Sequence, residues 1–103
     1  MRPKVFTLTA PGYSPPHRIN YKEPHLNVTF SCKITGTALY TVEHTFDDIG
    51  DPNVVLSWWP NEFIENEITD QYGDYLYPIQ ALRLHVVSLS NGGTVSMTVL
   101  QGN

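Results

Sequence analysis

The sequence predicts an all-β chain, either an antiparallel β-sandwich or a small jelly-roll-like barrel. Three observations carry that expectation. Apolar residues recur with a period of two along most of the chain, the alternation of a strand with one dry and one wet face. Valine, threonine and tyrosine dominate those segments, as a pleated, half-buried surface favours. Clusters of glycine, proline and asparagine separate the segments at turn-like intervals. At 103 residues, 41% hydrophobic and 16% charged, the chain is a single globular domain and neither a disordered chain nor a coiled coil.

The elements follow in order. Val5, Phe6, Thr7 and Leu8 form one short strand. Five of the eight prolines fall in the first 24 residues, at Pro3, Pro11, Pro15, Pro16 and Pro24. Residues 10–25 therefore read as an extended, stiff arm or ordered loop, and the chain divides into an N-terminal strand and proline-rich arm (1–25) and a sandwich body (26–103). Leu26, Val28, Phe30, Cys32 and Ile34 alternate with polar residues, as do Tyr40, Val42, His44 and Phe46. The Thr35-Gly36-Thr37 turn between them predicts a hairpin. Asp47 to Asn53 is a loop by composition, and Val54 to Trp59 a short apolar run ended by Pro60. Residues 61–67 could make one helical turn, with acids at its N-terminus. Asp70-Gln71-Tyr72-Gly73-Asp74 reads as a turn. Leu82, Leu84 and Val86 then share one face of a strand whose other face bears Arg83 and His85. Asn91-Gly92-Gly93 is the strongest hairpin signal, since glycine and asparagine tolerate positive φ. Val95, Met97 and Val99 mark the returning strand.

Several function classes are disfavoured. No apolar run approaches the ~20 residues of a membrane helix, and nothing after Met1-Arg2-Pro3-Lys4 is long enough for a secretory signal. A lone cysteine permits no internal disulfide. The net charge is −4, and between Glu43 and Asp74 there are nine acids and no lysine or arginine; nucleic-acid binding needs the opposite balance. His17, His25, His44 and His85 have no metal-ligand spacing. Asp47, Asp48 and Asp51 could begin a calcium site but lack the familiar loop register; turn residues are the simpler reading. No nucleophile–base pair, phosphate loop or dinucleotide fingerprint occurs, so no catalytic residue, metal or cofactor is expected. His44 lies on the dry parity of its strand and reads as a hydrogen-bonded core histidine.

Binding residues are more legible. Neighbours on a strand point to opposite faces, so one of Trp58 and Trp59 is expected in the core and the other at a surface, where tryptophan favours protein or sugar contacts. Arg83 and His85, with Glu43 and Thr45 on another strand, are candidate contact surfaces. Residues 1–35 carry Arg2, Lys4, Arg18, Lys22 and Lys33 against Glu23 alone, whereas the remainder is acidic. Arm and body are thus complementary in charge. The arm is expected to reach a neighbouring subunit through Tyr13, Arg18, Ile19, Tyr21 and Lys22, its apolar members supplying most of the affinity.

Three stretches, Tyr40-Thr41-Val42-Glu43-His44-Thr45-Phe46-Asp47-Asp48, Tyr77-Pro78-Ile79-Gln80-Ala81-Leu82-Arg83-Leu84 and Val95-Ser96-Met97-Thr98-Val99-Leu100-Gln101-Gly102, resemble small β-sandwich virion proteins of tailed bacteriophages. The resemblance covers roughly residues 26–103. It implies a phage structural protein, made in the bacterial cytoplasm and carried on the outer capsid surface. Its role would be that of a cement (decoration) protein stapling neighbouring major capsid protein subunits. It further implies a homo-oligomer, with a dimer favoured over a trimer. A head–tail or tail completion protein is the alternative within virions, and a carbohydrate-binding module the alternative outside them.

Overall fold

The computed structural model describes residues 3–19, 27–75 and 79–102. Among them are seven β-strands in one antiparallel sheet and no helix, so the chain is all-β with a sandwich-like fold. The strands are β1 (Lys4–Leu8), β2 (Gly12–Tyr13), β3 (His17–Arg18), β4 (Asn27–Thr45), β5 (Trp58–Pro60), β6 (Gln71–Tyr75) and β7 (Ala81–Gly102).

Two long strands organise the rest. β4 and β7 pair from Asn27↔Gly102 to Thr45↔Ala81. A straight strand of 22 residues, the length of β7, would span about 73 Å. The longest dimension of the molecule is 42 Å, so the ribbon has to fold over on itself. It does so where the register breaks. Between the pairs Thr35↔Thr94 and Tyr40↔Val86, β4 advances five residues and β7 eight. The three surplus residues bend the ribbon and switch the buried parity of β7 from Leu82, Leu84 and Val86 to Val95, Met97 and Val99.

Two flanking segments complete the layers. Residues 4–18 run antiparallel along β7, from Lys4↔Val99 to Arg18↔Ala81. Residues 58–75 run along the outer edge of β4, from Trp58↔Thr45 to Tyr75↔Val28. One layer thus holds β1, residues 94–102, residues 27–35 and β6. The other holds β2 and β3, residues 81–90, residues 37–45 and β5. Contacts between the layers fix the closure: Tyr75, paired with Val28, has its hydroxyl 2.9 Å from Nδ1 of His44, and the rings of Phe6 and His17 meet edge-on at 5.9 Å. A single apolar core fills the space between, including Phe30, Tyr40, Val42, Ile64, Leu84 and Met97.

Several local expectations are corrected by this arrangement. Thr35-Gly36-Thr37 and Asn91-Gly92-Gly93 do adopt positive φ, at Gly36 (71°), Asn91 (55°) and Gly92 (68°). They make neither of the expected hairpins. They lie side by side and form the bend, and the two predicted hairpins are two continuous strands paired with each other. Residues 61–67 form no helical turn. Oδ1 of Asn61 accepts from the amides of Phe63 and Ile64 (3.0 and 3.2 Å), turning Ile64 into the core and Phe63 outward. The expected turn at 70–74 is strand β6, because β4 supplies a backbone partner that outweighs composition.

The described part of the proline-rich arm is likewise no free extension. Pro15 and Pro16 have no N–H to give the ladder. Ser14 bridges the gap: its amide donates to the Leu84 carbonyl and its Oγ accepts from the Leu84 amide, both at 2.8 Å. The amide of Ile19 then donates to the Gln80 carbonyl at 2.9 Å.

Candidate functional site

The outer face of the second layer gathers five of the nine residues that the sequence nominates for binding. The register places Tyr13 opposite His85, Arg18 opposite Ala81, Arg83 opposite Glu43, and Trp58 opposite Thr45. Side chains directly opposite or two residues apart share a face, so all of these project the same way. They come from four parts of the chain, β2–β3, β4, β5 and β7, which strand pairing sets side by side in this layer.

Arg83 is the centre of the site. Its Nε donates to Oε1 of Glu43 at 2.7 Å, and both side chains are largely shielded from water. Its guanidinium carbon lies 4.0 Å from the Tyr13 ring centroid and 4.1 Å from that of Trp58. Guanidinium on aromatic faces is favourable because the ring face is electron-rich. Tyr13 stacks in turn on His85, with centroids 4.3 Å apart and planes 20° apart. Nδ1 of His85 is 3.4 Å from Oε2 of Glu43. A continuous stack of His85, Tyr13, Arg83 and Trp58 therefore crosses the layer from β2 to β5, held from beneath by Glu43. Glu43 was legible as a contact residue from its parity. Its pairing with Arg83 was not, because the hairpin expectation paired the wrong segments.

The remaining nominated residues sit elsewhere. Ile19 was expected to anchor a partner, but it is 1% exposed in the protein's own core; its position beside Gln80, at the end of β7, turns it inward. Tyr21 and Lys22 lie outside the described residues. Trp58 and Trp59 do point to opposite faces, yet neither enters the core. β5 is a three-residue edge strand; Trp59 overhangs its border at 56% exposure, and Trp58 is half-buried under Arg83. Arg18, on the same face as the stack, turns away from it toward the acidic loop, where a methyl placed on Gly50 would lie 2.6 Å from its Nη2.

The acidic loop and the buried titratable groups have structural partners or surroundings. Asp48 and Asp51 each accept a backbone amide two residues ahead, from Gly50 and Asn53, at 2.9 Å. Oδ2 of Asp47 accepts the Ser57 amide at 2.6 Å. Among the described residues no three His, Cys, Asp or Glu side chains converge as a metal site would require. Burial lowers the pKa of His44, and burial reinforced by Lys4 lowers that of His17. Burial pushes the Cys32 thiol up to about 12, which makes it a poor nucleophile. The Tyr40 hydroxyl, also held up by burial, donates to the Thr69 carbonyl.

Comparison with protein-family models and with curated proteins returns no match. The candidate binding face is accordingly read from the chain's own residues and geometry.

Proposed function

We propose that this is a non-enzymatic structural protein that binds a protein partner through the outer face of its second layer. The observation that carries this reading is the stack of Tyr13, Arg83 and Trp58, held in place by Glu43. Aromatic residues and arginine are the types that dominate binding hot spots. Fixing them before contact lowers the entropy lost on association.

Within that class, we propose a cement protein on the outer surface of a phage capsid, assembled as a homo-oligomer and bridging major capsid subunits. Two of the three stretches that resemble phage virion proteins support this. Residues 40–48 and 77–84 contain the cross-strand partners that form the binding face, including Glu43 and Arg83. The test is to assemble particles with Arg83→Ala or Trp58→Ala and measure how much of the protein each particle retains. Both variants should leave the chain folded and reduce occupancy by about tenfold or more, as hot-spot truncation does. Unchanged occupancy would refute the assigned face. A handful of copies per particle would favour a head–tail completion role, and selective retention on a glycan panel a carbohydrate-binding one.

A further inference from the structure

Among the described residues the sheet has four flanking strand edges, and three of them are blunted against pairing. β1 follows Pro3 and begins with Lys4; β2 and β3 are interrupted by Pro15 and Pro16; β5 is three residues long and ends in Pro60. Proline, lysine and brevity are the usual devices that keep a strand edge from recruiting another strand. β6 has none of them. It reads Gln71-Tyr72-Gly73-Asp74-Tyr75 and pairs on one side with residues 28–32 of β4. Among the described residues no strand pairs with its other side.

An open groove of about 550 Å³ lies along this strand, with Tyr72, Gly73 and Asp74 of β6, Thr29 and Ser31 of β4, and Phe63 among its lining. Phe63 and Tyr72 are 76% and 84% exposed, an unusual pair of aromatic rings to leave in water. The surroundings are acidic. Asp70 precedes the strand, Asp74 lies within it, and Glu62 and Glu65 flank Phe63 in sequence. Asp70 also accepts the Ile34 amide. Lys33, one residue past the Cys32↔Gln71 pair, is the nearest described cation along β4.

We infer that β6 accepts an extended, basic peptide segment of another polypeptide as an added strand. The unpaired backbone edge would supply the ladder, the two aromatic rings would hold alternate side chains, and the carboxylates select lysine or arginine over acidic residues. The occupant is a segment with alternating apolar and basic residues. β6 is on the opposite layer from the Arg83 stack, and the inference does not depend on the proposed function.

The test uses the isotope-labelled full chain and a synthetic peptide of about seven residues alternating valine and lysine, long enough to cover one strand. Amide shifts should concentrate at residues 71–75. Replacing lysine by glutamate in the peptide should weaken binding about tenfold or more, and a central proline should abolish it. Asp74→Lys should weaken the valine–lysine peptide severalfold without changing the melting temperature, since Asp74 is exposed. Four results would overturn the inference: no binding at about 1 mM peptide, equal affinity for the acidic peptide, indifference to the proline, or shifts centred outside β6. Peptide-free, concentration-dependent shifts at 71–75 would overturn the named occupant in favour of a second copy of the chain.

Discussion

Arg83 and Glu43 are each shielded from water and each satisfy the other, so removing one leaves a charge without its partner. Arg83→Met should therefore destabilise the fold by about 1–3 kcal/mol, the cost of orphaning a shielded polar group. The double variant Arg83→Met/Glu43→Gln should recover part of that loss. Urea melts of the two single variants and the double variant check this as a cycle; additive effects would show that the pair is not coupled. The histidines make a second residue-scale prediction. His17 and His44 are held neutral by burial, with pKa values below the ordinary 6.5. The unfolded chain then binds more protons than the folded one as pH drops below that value. Stability should be fully present above about pH 6.5 and decline as the pH falls toward the depressed values. The slope of melting temperature against pH between 7 and 5 should flatten in His17→Gln/His44→Gln. His44 was legible as a core histidine because its parity matches Tyr40 and Val42. The fate of the tryptophans was only half legible. Alternation gives their opposite faces, but whether an inward face is covered depends on strand order, which no local pattern encodes.

At the scale of elements, the bend is where the sequence was read correctly residue by residue and wrongly as a motif. Asn91, Gly92 and Gly36 do take left-handed conformations. The same conformations serve a tight turn and a bulge, and only the choice of partner strand separates them. The change of buried parity between Val86 and Val95 is compatible with either. The bend makes a graded prediction. A Cβ on Gly93 would overlap the Thr37 carbonyl and lie 2.9 Å from that of Ser90; one on Gly36 would lie 2.7 Å from the Asn91 carbonyl. Both are backbone contacts that cannot swing aside. Gly92 shares the positive φ of Gly36 but has open space around it. Gly92→Ala should cost about 1–2 kcal/mol, the ordinary penalty of the left-handed region. Gly36→Ala and Gly93→Ala should each cost more than that, by chemical denaturation. Equal costs at all three would mean that the strands do not approach as closely as described. Residues 70–74 have a turn's composition for a related reason: Asp70, Gly73 and Asp74 are turn formers, and only the adjacent β4 makes a strand of 71–75.

For the whole molecule, the alternation of dry and wet residues was enough to place the core. Val28, Phe30, Cys32, Tyr40, Val42, Leu82, Leu84, Val95, Met97 and Val99 are all buried. Invisible to that pattern was the folding of one ribbon into two layers, and with it the assembly of Tyr13, Trp58 and Arg83 from three distant segments. The arm shows the same limit. Proline content suggested an outward reach, whereas Ser14 and Ile19 anchor the described part to β7. Ile19→Ala should accordingly destabilise the chain by about 2–5 kcal/mol, as truncating a fully buried aliphatic residue does, and lower the melting temperature. A change under about 0.5 kcal/mol, typical of surface sites, would return Ile19 to the list of partner contacts. The proposed role is that of a capsid-bound cement protein acting through the Arg83 face. Quantitative mass spectrometry of purified particles, with the wild-type chain and with Arg83→Ala, tests it most directly. The account predicts many copies per particle for the wild type and a loss of about tenfold or more for the variant; a wild-type chain missing from the particles, or a variant retained at full occupancy, would contradict it.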